Sequence, residues 1–316
     1  MMTGYEHKTL MLASDLHRFL LEQSQLKLLV HSVFETSINL MVDEELLTMA
    51  AGSRELMPMG FIVDTAELDH WGLEAGDVVI YDQNAFQLPQ GVRILLEGAE
   101  VREVSLSESL ESDSSIDRAS LQIIRSKLLE SEAGGISDLA ALLPESDVMD
   151  KPLNVYSKYI KEDLFAFLDA LRKSDYVAAA DLTGRLLGFG PGLTPSGDDF
   201  LTGIILFFYY KKPDIDFFQK IVTLARQRTT VLSYHMINNA ASGKAYESYL
   251  ALIRTLGGQG RESLETLADR VLRYGASSGS DFLFGVYCAA LILYENENKN
   301  VSNIEVHSRN LISEIS

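Results

Sequence analysis

The sequence has a single cysteine, few basic residues and no long apolar run. As the single cysteine, Cys288 cannot form an internal disulfide, and the sequence around it has no Cys/His spacing typical of a zinc site. Lys and Arg number 27 against 45 Asp and Glu, a net charge of −18, which is unfavourable for binding nucleic acid or an anionic membrane surface. The longest apolar runs, near 201–210 and 282–294, are shorter than the ~20 residues of a membrane span. We therefore expect a cytoplasmic protein with neither partner.

The pattern of apolar residues predicts an α+β protein in two parts. Residues 1–110 are expected to form a small, mostly-β barrel or sandwich, because turn residues separate short runs of Val, Ile and Leu. Residues 111–316 have a helical period and predict a mostly-α domain. The predicted strands are 26–33, 37–42, 59–64, 77–81, 92–96 and 101–106.

Three further segments carry specific expectations. Apolar spacing over 9–23 predicts an amphipathic helix before the strands, and 214–240 is predicted as one long helix. Residues 100–117 hold six serines and six acids with one base, Arg102, which favours a solvated linker or long loop. The alternative for that segment is a phosphorylated regulatory loop.

The most informative segment is the glycine-rich turn GFGPGLTPSGDDFLTG at residues 188–203, which leads into an apolar helix. Glycines let backbone N–H groups approach a ligand, and the first turn of a helix has unpaired N–H groups and a partial positive charge. This combination indicates an anion site, with phosphate as its usual occupant. No lysine follows the last glycine, so the segment is not a Walker A loop.

The same pattern recurs 82 residues later, where SGDDFLTG at 196–203 aligns with SGSDFLFG at 278–285. In both copies a serine stands three residues before an aspartate, the spacing of a capping box. Gly203 and Gly285 each lie one turn after that aspartate, where a glycine permits close packing. We expect the two helices to pack through these glycines and their N-termini to converge on one pocket. The alternative is a pair of ordinary helix caps with no ligand.

The candidate residues follow from the two glycine-serine-aspartate copies and from a polar cluster within 214–240. No residue is assigned as catalytic, but the candidates are Asp198, Asp199 and Asp281. These carboxylates would repel a bare phosphate. Either Asp198 and Asp199 hold a Mg²⁺ ion that bridges to phosphate, or the acids bind an amine or amide of the ligand. The candidate ligand-binding residues are Gly190, Gly192, Thr194, Ser196, Gly197, Thr230, Ser233, Asn239, Ser278 and Gly279.

The segment GFGPGLTPSGDDFLTG resembles the signature of a bacterial family of unknown-function domains that includes the AllH subunit of oxamate carbamoyltransferase. The later GASSGSDFLFG resembles that family's second glycine-serine-aspartate block, and TTVLSYHMINNAASGK stands where the family has a Thr/Ser-rich helix. The resemblance covers roughly residues 175–290. It implies a subunit of a multi-subunit carbamoyltransferase of allantoin (purine) catabolism, which interconverts oxalurate and phosphate with oxamate and carbamoyl phosphate.

The resemblance also implies partners and leaves alternatives open. The partners would be an FdrA-like subunit and a second related subunit, and the substrate would be a small anion bound at the glycine-rich loop. One alternative is a non-catalytic assembly subunit, in which the glycine motifs serve only helix packing. Another is an ATP-dependent phosphotransferase acting on a small molecule.

Overall fold

The structure, a computed structural model, describes residues 5–106, 115–143 and 152–314, with side chains as far as residue 298. Residues 107–114 of the serine-rich acidic segment at 100–117 lie outside these residues. The expected α+β class is confirmed, since a β-barrel over residues 6–102 is followed by helices. The chain divides into two compact units, residues 1–105 with 244–250, and residues 106–243 with 251–316.

Eight strands close the barrel, in the order β5-β4-β3-β2-β6-β7-β8-β1 with β1 returning to β5, and a ninth strand pairs with β1 outside the ring. The bounds are β1 Glu6–Ala13, β2 Gln25–Val33, β3 Ser37–Val42, β4 Glu45–Ala51, β5 Gly60–Val63, β6 Val78–Asp82, β7 Ala85–Gln87, β8 Arg93–Leu95 and β9 Glu100–Arg102. Of the two predicted architectures, barrel or sandwich, the barrel is therefore the one that forms.

The predicted helix at 9–23 is wrong in its first half. Residues Glu6–Ala13 form β1, and helix α1 spans only Ser14–Leu21. β1 closes the barrel, because it pairs with β8 near its start, with β5 in its middle and with β9 at its end. Backbone pairing with three distant strands overrides the local helical spacing of the apolar residues.

The second unit is helical. The helices that follow α1 are α2 Arg118–Glu130, α3 Val155–Arg172, α4 Tyr176–Leu186, α5 Ser196–Lys211, α6 Ile215–Arg228, α7 Val231–Ala240, α8 Glu247–Leu256, α9 Leu264–Leu272 and α10 Ser278–Glu314. Within the described part of the chain, none of the helices combines the length and apolarity that a membrane span requires.

The predicted long helix at 214–240 is also wrong, because it breaks into α6 and α7 at Thr229 and Thr230. Both threonines have extended backbone conformations. The Thr230 side chain accepts a hydrogen bond from the Ser233 N–H and so caps the start of α7. A β-branched residue that can cap a new helix favours such a break. The spacing of apolar residues continues across the break and therefore does not reveal it.

Helices α5 and α10 pack against each other at Gly203 and Gly285, as the sequence repeat predicts. A Cβ on Gly203 would lie 2.2 Å from the Phe282 carbonyl oxygen, and one on Gly285 would lie 2.1 Å from the Phe200 carbonyl oxygen. The contact is reciprocal, since each glycine meets the carbonyl three residues before the other. The side chains around this contact are fully buried phenylalanines, and the rings of Phe200 and Phe284 lie 5.3 Å apart.

We predict that Gly203→Ala lowers the stability of the protein, because the new methyl group collides with backbone that cannot move aside. Overpacking of this kind costs about 1–3 kcal/mol. The matched control is Gly184→Ala within α4, where the nearest atoms to a new Cβ are 3.9 Å away in the Arg228 side chain. That substitution should stabilise the helix by about 0.5–1 kcal/mol. Equilibrium urea unfolding measures both, and equal effects of the two variants would contradict the packing.

Candidate functional site

The two glycine-serine-aspartate copies are structural repeats, each formed by a helix, a loop and a second helix. In the first copy, between α4 and α5, the Gly197 N–H donates to the Phe189 carbonyl at 2.9 Å. In the second, between α9 and α10, the Gly279 N–H donates to the Tyr274 carbonyl, also at 2.9 Å. The loop between these anchors is three residues longer in the first copy, which is the one that contains Gly190 and Gly192.

Gly197 and Gly279 are needed for close packing. A Cβ on Gly197 would lie 2.0 Å from the Leu186 carbonyl oxygen, and one on Gly279 would lie 1.9 Å from the Val271 carbonyl oxygen. Each glycine therefore allows the second helix to start directly against the end of the first. Their N–H groups are engaged by the loop carbonyls, so these two donors are not available to a ligand in this conformation.

The predicted capping boxes do not form in α5, because the residue at the N-cap is Pro195 and no side chain caps the helix. The serines instead lie beside the aspartate of the opposite copy. The Ser196 hydroxyl faces the Asp281 carboxyl group, and the Ser278 hydroxyl faces that of Asp199. Each hydroxyl lowers the pKa of the carboxyl group that it faces. Because α5 packs against α10, each serine faces the aspartate of the other copy, and not the aspartate that follows it three residues later in its own copy.

Asp198 connects the glycine-rich loop to the junction between α6 and α7. Its carboxylate accepts a hydrogen bond of 2.8 Å from the Gly188 N–H and another from the Thr229 hydroxyl. Burial nevertheless raises its pKa, and the hydroxyl of Ser233 lies nearby and opposes that shift. Since both oxygens of Asp198 have partners in the protein, this carboxylate holds the glycine-rich loop at the junction between α6 and α7.

Asp281 is fully buried and is held from one side. Its Oδ1 accepts hydrogen bonds from the N–H groups of Ile136 and Ser137, at 2.7 and 3.1 Å, while its Oδ2 has no hydrogen-bond partner. Burial raises the pKa of Asp281 to about 7. The two N–H donors stabilise the ionised form and partly oppose that shift.

Asp199 is 1% exposed, and neither of its carboxyl oxygens has a hydrogen-bond partner. Burial, followed by repulsion from Asp281, raises its pKa well above the usual value for an aspartate. Thr194 and Ser278 lie beside the carboxyl group, but their hydroxyls hydrogen-bond to each other at 2.8 Å. A buried polar group without a partner is costly, so Asp199 is the feature that most needs a functional explanation. We refer to Asp199 and Asp281 as the acid pair.

The other predicted ligand residues are distributed around the loop. Gly190 lies against the backbone nitrogen of Ser196, while Gly192 is exposed at the tip of the loop. The Thr230 hydroxyl donates to the Leu193 carbonyl at 2.5 Å and so fastens the loop to the start of α7. Asn239 is near the far end of α7, six residues beyond Ser233, and the contacts described for the chain do not bring it to the aspartates.

Sequence reasoning missed the loop that holds Asp281. Gly134 and Gly135 precede the two donating N–H groups, and a Cβ on Gly135 would lie 2.2 Å from Asp281 Oδ2. The loop is fastened in turn by the Asn154 side-chain amide, which donates to the Gly135 carbonyl at 2.7 Å. The adjacent glycines in the sequence EAGGIS were the available signal, because such a pair often marks a close backbone approach.

The three aspartates are not grouped around a single point in the described part of the chain. Among the described residues, the one group of three ligating side chains whose atoms all lie within 4.8 Å of one another is Glu67, Asp69 and His70, all exposed in the first unit. Asp198, Asp199 and Asp281 do not converge in this way, and Asp198 has both oxygens engaged. The magnesium and the amide-binding interpretations of these acids both stay predictions.

Two comparisons with known families match the chain, and they cover most of it. Residues 186–290 match the family described as oxamate carbamoyltransferase subunit AllH. Residues 8–101 match the AllH family N-terminal domain. The chain belongs to the AllH family. The matched ranges include the glycine-rich loop and the acid pair, whereas Gly134 and Gly135 lie between them. No solved structure gives a significant match to the chain.

We predict that the stability of this AllH-family chain falls as pH rises through neutrality. A carboxyl group whose pKa is raised by folding stabilises the protein while it is protonated, below about pH 4, and loses that contribution as pH passes the folded-state value. For Asp281 that value is about 7, and the pKa of Asp199 is also raised. Asp199→Asn should flatten the loss of stability that begins as pH rises above about 4, by up to about 1.4 kcal/mol per pH unit.

The control for that experiment is Asp181→Asn, which removes the same charge from an exposed position on α4. Chemical denaturation at several pH values between 5 and 9 compares the three proteins. Since the chain carries many surface acids, only a slope that differs between Asp199→Asn and Asp181→Asn reports on the acid pair. Identical slopes would be inconsistent with the burial described here.

A second prediction concerns the loop around Asp281. Gly134 and Gly135 both have positive φ, at 81° and 70°, so alanine at either position is strained by about 1–2 kcal/mol. Only at Gly135 does the new methyl group also collide with the Asp281 carboxylate. Gly135→Ala should therefore have the lower melting temperature of the two variants. Equal melting temperatures would show that the loop does not enclose the carboxylate.

Proposed function

We propose that this chain is a subunit of an oxamate carbamoyltransferase-like enzyme and that its acid pair binds the N–H-bearing end of oxalurate or oxamate. The family assignment supports the enzyme class. The observation that carries the site is Asp199, a fully buried carboxyl group with two unpartnered oxygens. A ligand that supplies hydrogen bonds there would remove the cost of leaving those oxygens unsatisfied.

The chemistry of the substrates suits this position. The carbamoyl and amide groups of oxalurate present several N–H donors and two carbonyl acceptors, while its carboxylate is at the opposite end. A protonated carboxyl group can pair with an amide in both directions, because it donates from O–H and accepts at C=O. The surroundings of Asp199 disfavour its ionised form.

The acid pair is poorly suited to the anionic parts of the substrates. The described groups with the largest effects on the pKa values of Asp198, Asp199 and Asp281 include no basic side chain. Phosphate and the oxamate carboxylate need cationic or N–H donors. We infer that a partner, the FdrA-like subunit or the second related subunit, contributes those groups when the complex assembles.

Access to Asp199 requires the glycine-rich loop to move. The Thr194–Ser278 hydrogen bond joins this loop to the start of α10 beside the buried carboxyl group. Thr194 is half-buried, whereas Pro191, Gly192 and Leu193 are exposed. Opening this hydrogen bond frees two hydroxyls for the ligand and uncovers Asp199. The nucleotide-dependent alternative gains no support, because the first-turn N–H groups of Gly197, Asp198 and Asp199 already donate to carbonyls of the chain.

Isothermal calorimetry tests the proposal with oxamate, oxalurate, carbamoyl phosphate and phosphate, on the chain alone and on the assembled enzyme. We expect oxamate and oxalurate to bind. Ser278→Ala and Thr194→Val should each weaken that binding about 3- to 10-fold, the loss of one hydrogen bond. Thr223→Val is the matched control, since its hydroxyl donates to the Gln219 carbonyl on the exposed face of α6.

Two results would contradict the proposal. One is that neither oxamate nor oxalurate binds to the chain alone or to the assembled enzyme. The other is binding that Ser278→Ala and Thr194→Val leave at the strength of the Thr223→Val control. Tighter binding by the assembled enzyme than by the chain alone would support a contribution from the partner subunits.

A non-catalytic assembly role is the second candidate, and one surface favours it. Tyr159 is 79% exposed, yet its ring stacks on Phe189 of the glycine-rich loop at 5.8 Å. The neighbouring Val155 is 71% exposed. Exposed aromatic and aliphatic side chains are typical of contact surfaces between proteins. Under this alternative, Tyr159→Ala would weaken assembly, and no substrate would bind to the acid pair.

A further inference from the structure

We propose that Asp199 donates the proton to the oxamate nitrogen as the carbamoyl group leaves it, and that Asp281 is the positioning residue that keeps this proton on Asp199. The inference rests on the proposed function and deepens it, because it assigns a step of the reaction to the same site. It starts from an asymmetry between two aspartates that occupy equivalent places in the structural repeat.

The asymmetry lies in the donors around each carboxyl group. Asp281 Oδ1 accepts two backbone N–H groups, whereas neither oxygen of Asp199 accepts a hydrogen bond. N–H donors stabilise a carboxylate, and burial without N–H donors stabilises the neutral acid. When one proton is shared between two neighbouring buried carboxyl groups, it is therefore held by Asp199, and Asp281 carries the charge.

Among the described side chains of the neighbouring helices, no other charge reverses this order. From α10 the group facing Asp199 is Asp281, and from its own helix it is Asp198, whose oxygens are engaged. On α7, burial lowers the pKa of His235 and so favours its neutral form. On α4, Asp181 is exposed, and Arg185 forms an ion pair of 2.6 Å with Asp163.

The reaction needs a proton at this point. A phosphate oxygen forms a bond to the carbamoyl carbon of oxalurate, and the bond from that carbon to the oxamate nitrogen breaks. The electron pair stays on the nitrogen, which takes the proton of Asp199 and leaves as the neutral amide of oxamate. The Asp199 carboxylate then recovers a proton from the attacking hydrogen phosphate, so that atoms and charges balance. The reverse reaction uses the same groups in the opposite order.

The backbone donors explain why the repeat has two unequal acids. The Ile136 and Ser137 N–H groups fix Asp281 as the negative member, and Gly135 lets the loop approach its other oxygen. Repulsion from that fixed charge disfavours loss of the proton from Asp199 until a basic nitrogen is present to receive it. Removing Asp281 should therefore change the protonation of Asp199 more than its position.

The test measures kcat and KM of the assembled enzyme with oxalurate and phosphate between pH 5 and 9. General acid catalysis contributes about 10²–10⁴-fold. Asp199→Asn should lower kcat at least about 100-fold, while oxamate affinity by calorimetry stays within a few-fold, because the amide still forms hydrogen bonds. Asp199→Glu restores a carboxyl group and should recover part of kcat. Asp181→Asn should leave kcat unchanged.

Asp281→Asn tests the positioning role. The alkaline limb of the kcat profile should move to lower pH, because Asp199 loses its proton more readily without the neighbouring charge. A lower kcat with an unmoved limb would show a merely structural role for Asp281. Retention of kcat by Asp199→Asn with intact oxamate binding would overturn the proton-donor assignment alone. Failure of the wild-type enzyme to bind oxamate or oxalurate would overturn the proposed function and this inference with it.

Discussion

The close contact between α5 and α10 at Gly203 and Gly285 determines the rest of the helical unit. Without side chains at these two positions, each helix backbone reaches the carbonyl group of the other. This contact brings the N-termini of both helices together and buries Asp199 and Asp281 beside each other. Two carboxyl groups in such a place destabilise the fold when they are ionised, so the packing and the chemistry of the site are inseparable.

The site is built from two copies of one motif that have become unequal. Both copies use the same backbone anchor between the loop and the start of the second helix. The copies differ in loop length and in what surrounds the aspartate. Asp281 is enclosed by a glycine loop that donates two N–H groups, whereas Asp199 faces hydroxyls that are bonded to each other. A symmetric pair would share a proton equally, whereas under the proposed mechanism the asymmetry of the pair assigns the proton to Asp199.

The proposed function would reconcile the acidic composition of the chain with an enzyme whose substrates are anions. Under the proposed function, the buried acids bind the part of the substrate that bears N–H groups, and phosphate is bound by groups outside the acid pair. A subunit that provides only half of the required chemistry needs a partner for the other half. The division agrees with a family described as a subunit of a larger enzyme.

The sequence by itself determined the α+β class, the repeated motif and the glycine contact between its helices, because each depends on local spacing that the fold preserves. The resemblance to the AllH family also followed from the sequence, and the family matches confirm it. Only the tertiary structure decided that Glu6–Ala13 is a strand, since three distant strands supply its partners. Likewise, only the structure separated Asp198 from Asp199, which are adjacent in the chain. Asp198 accepts hydrogen bonds from Gly188 and Thr229, and the loop at Gly135 donates to Asp281 but not to Asp199. No local pattern specifies which of these distant groups reaches which carboxylate.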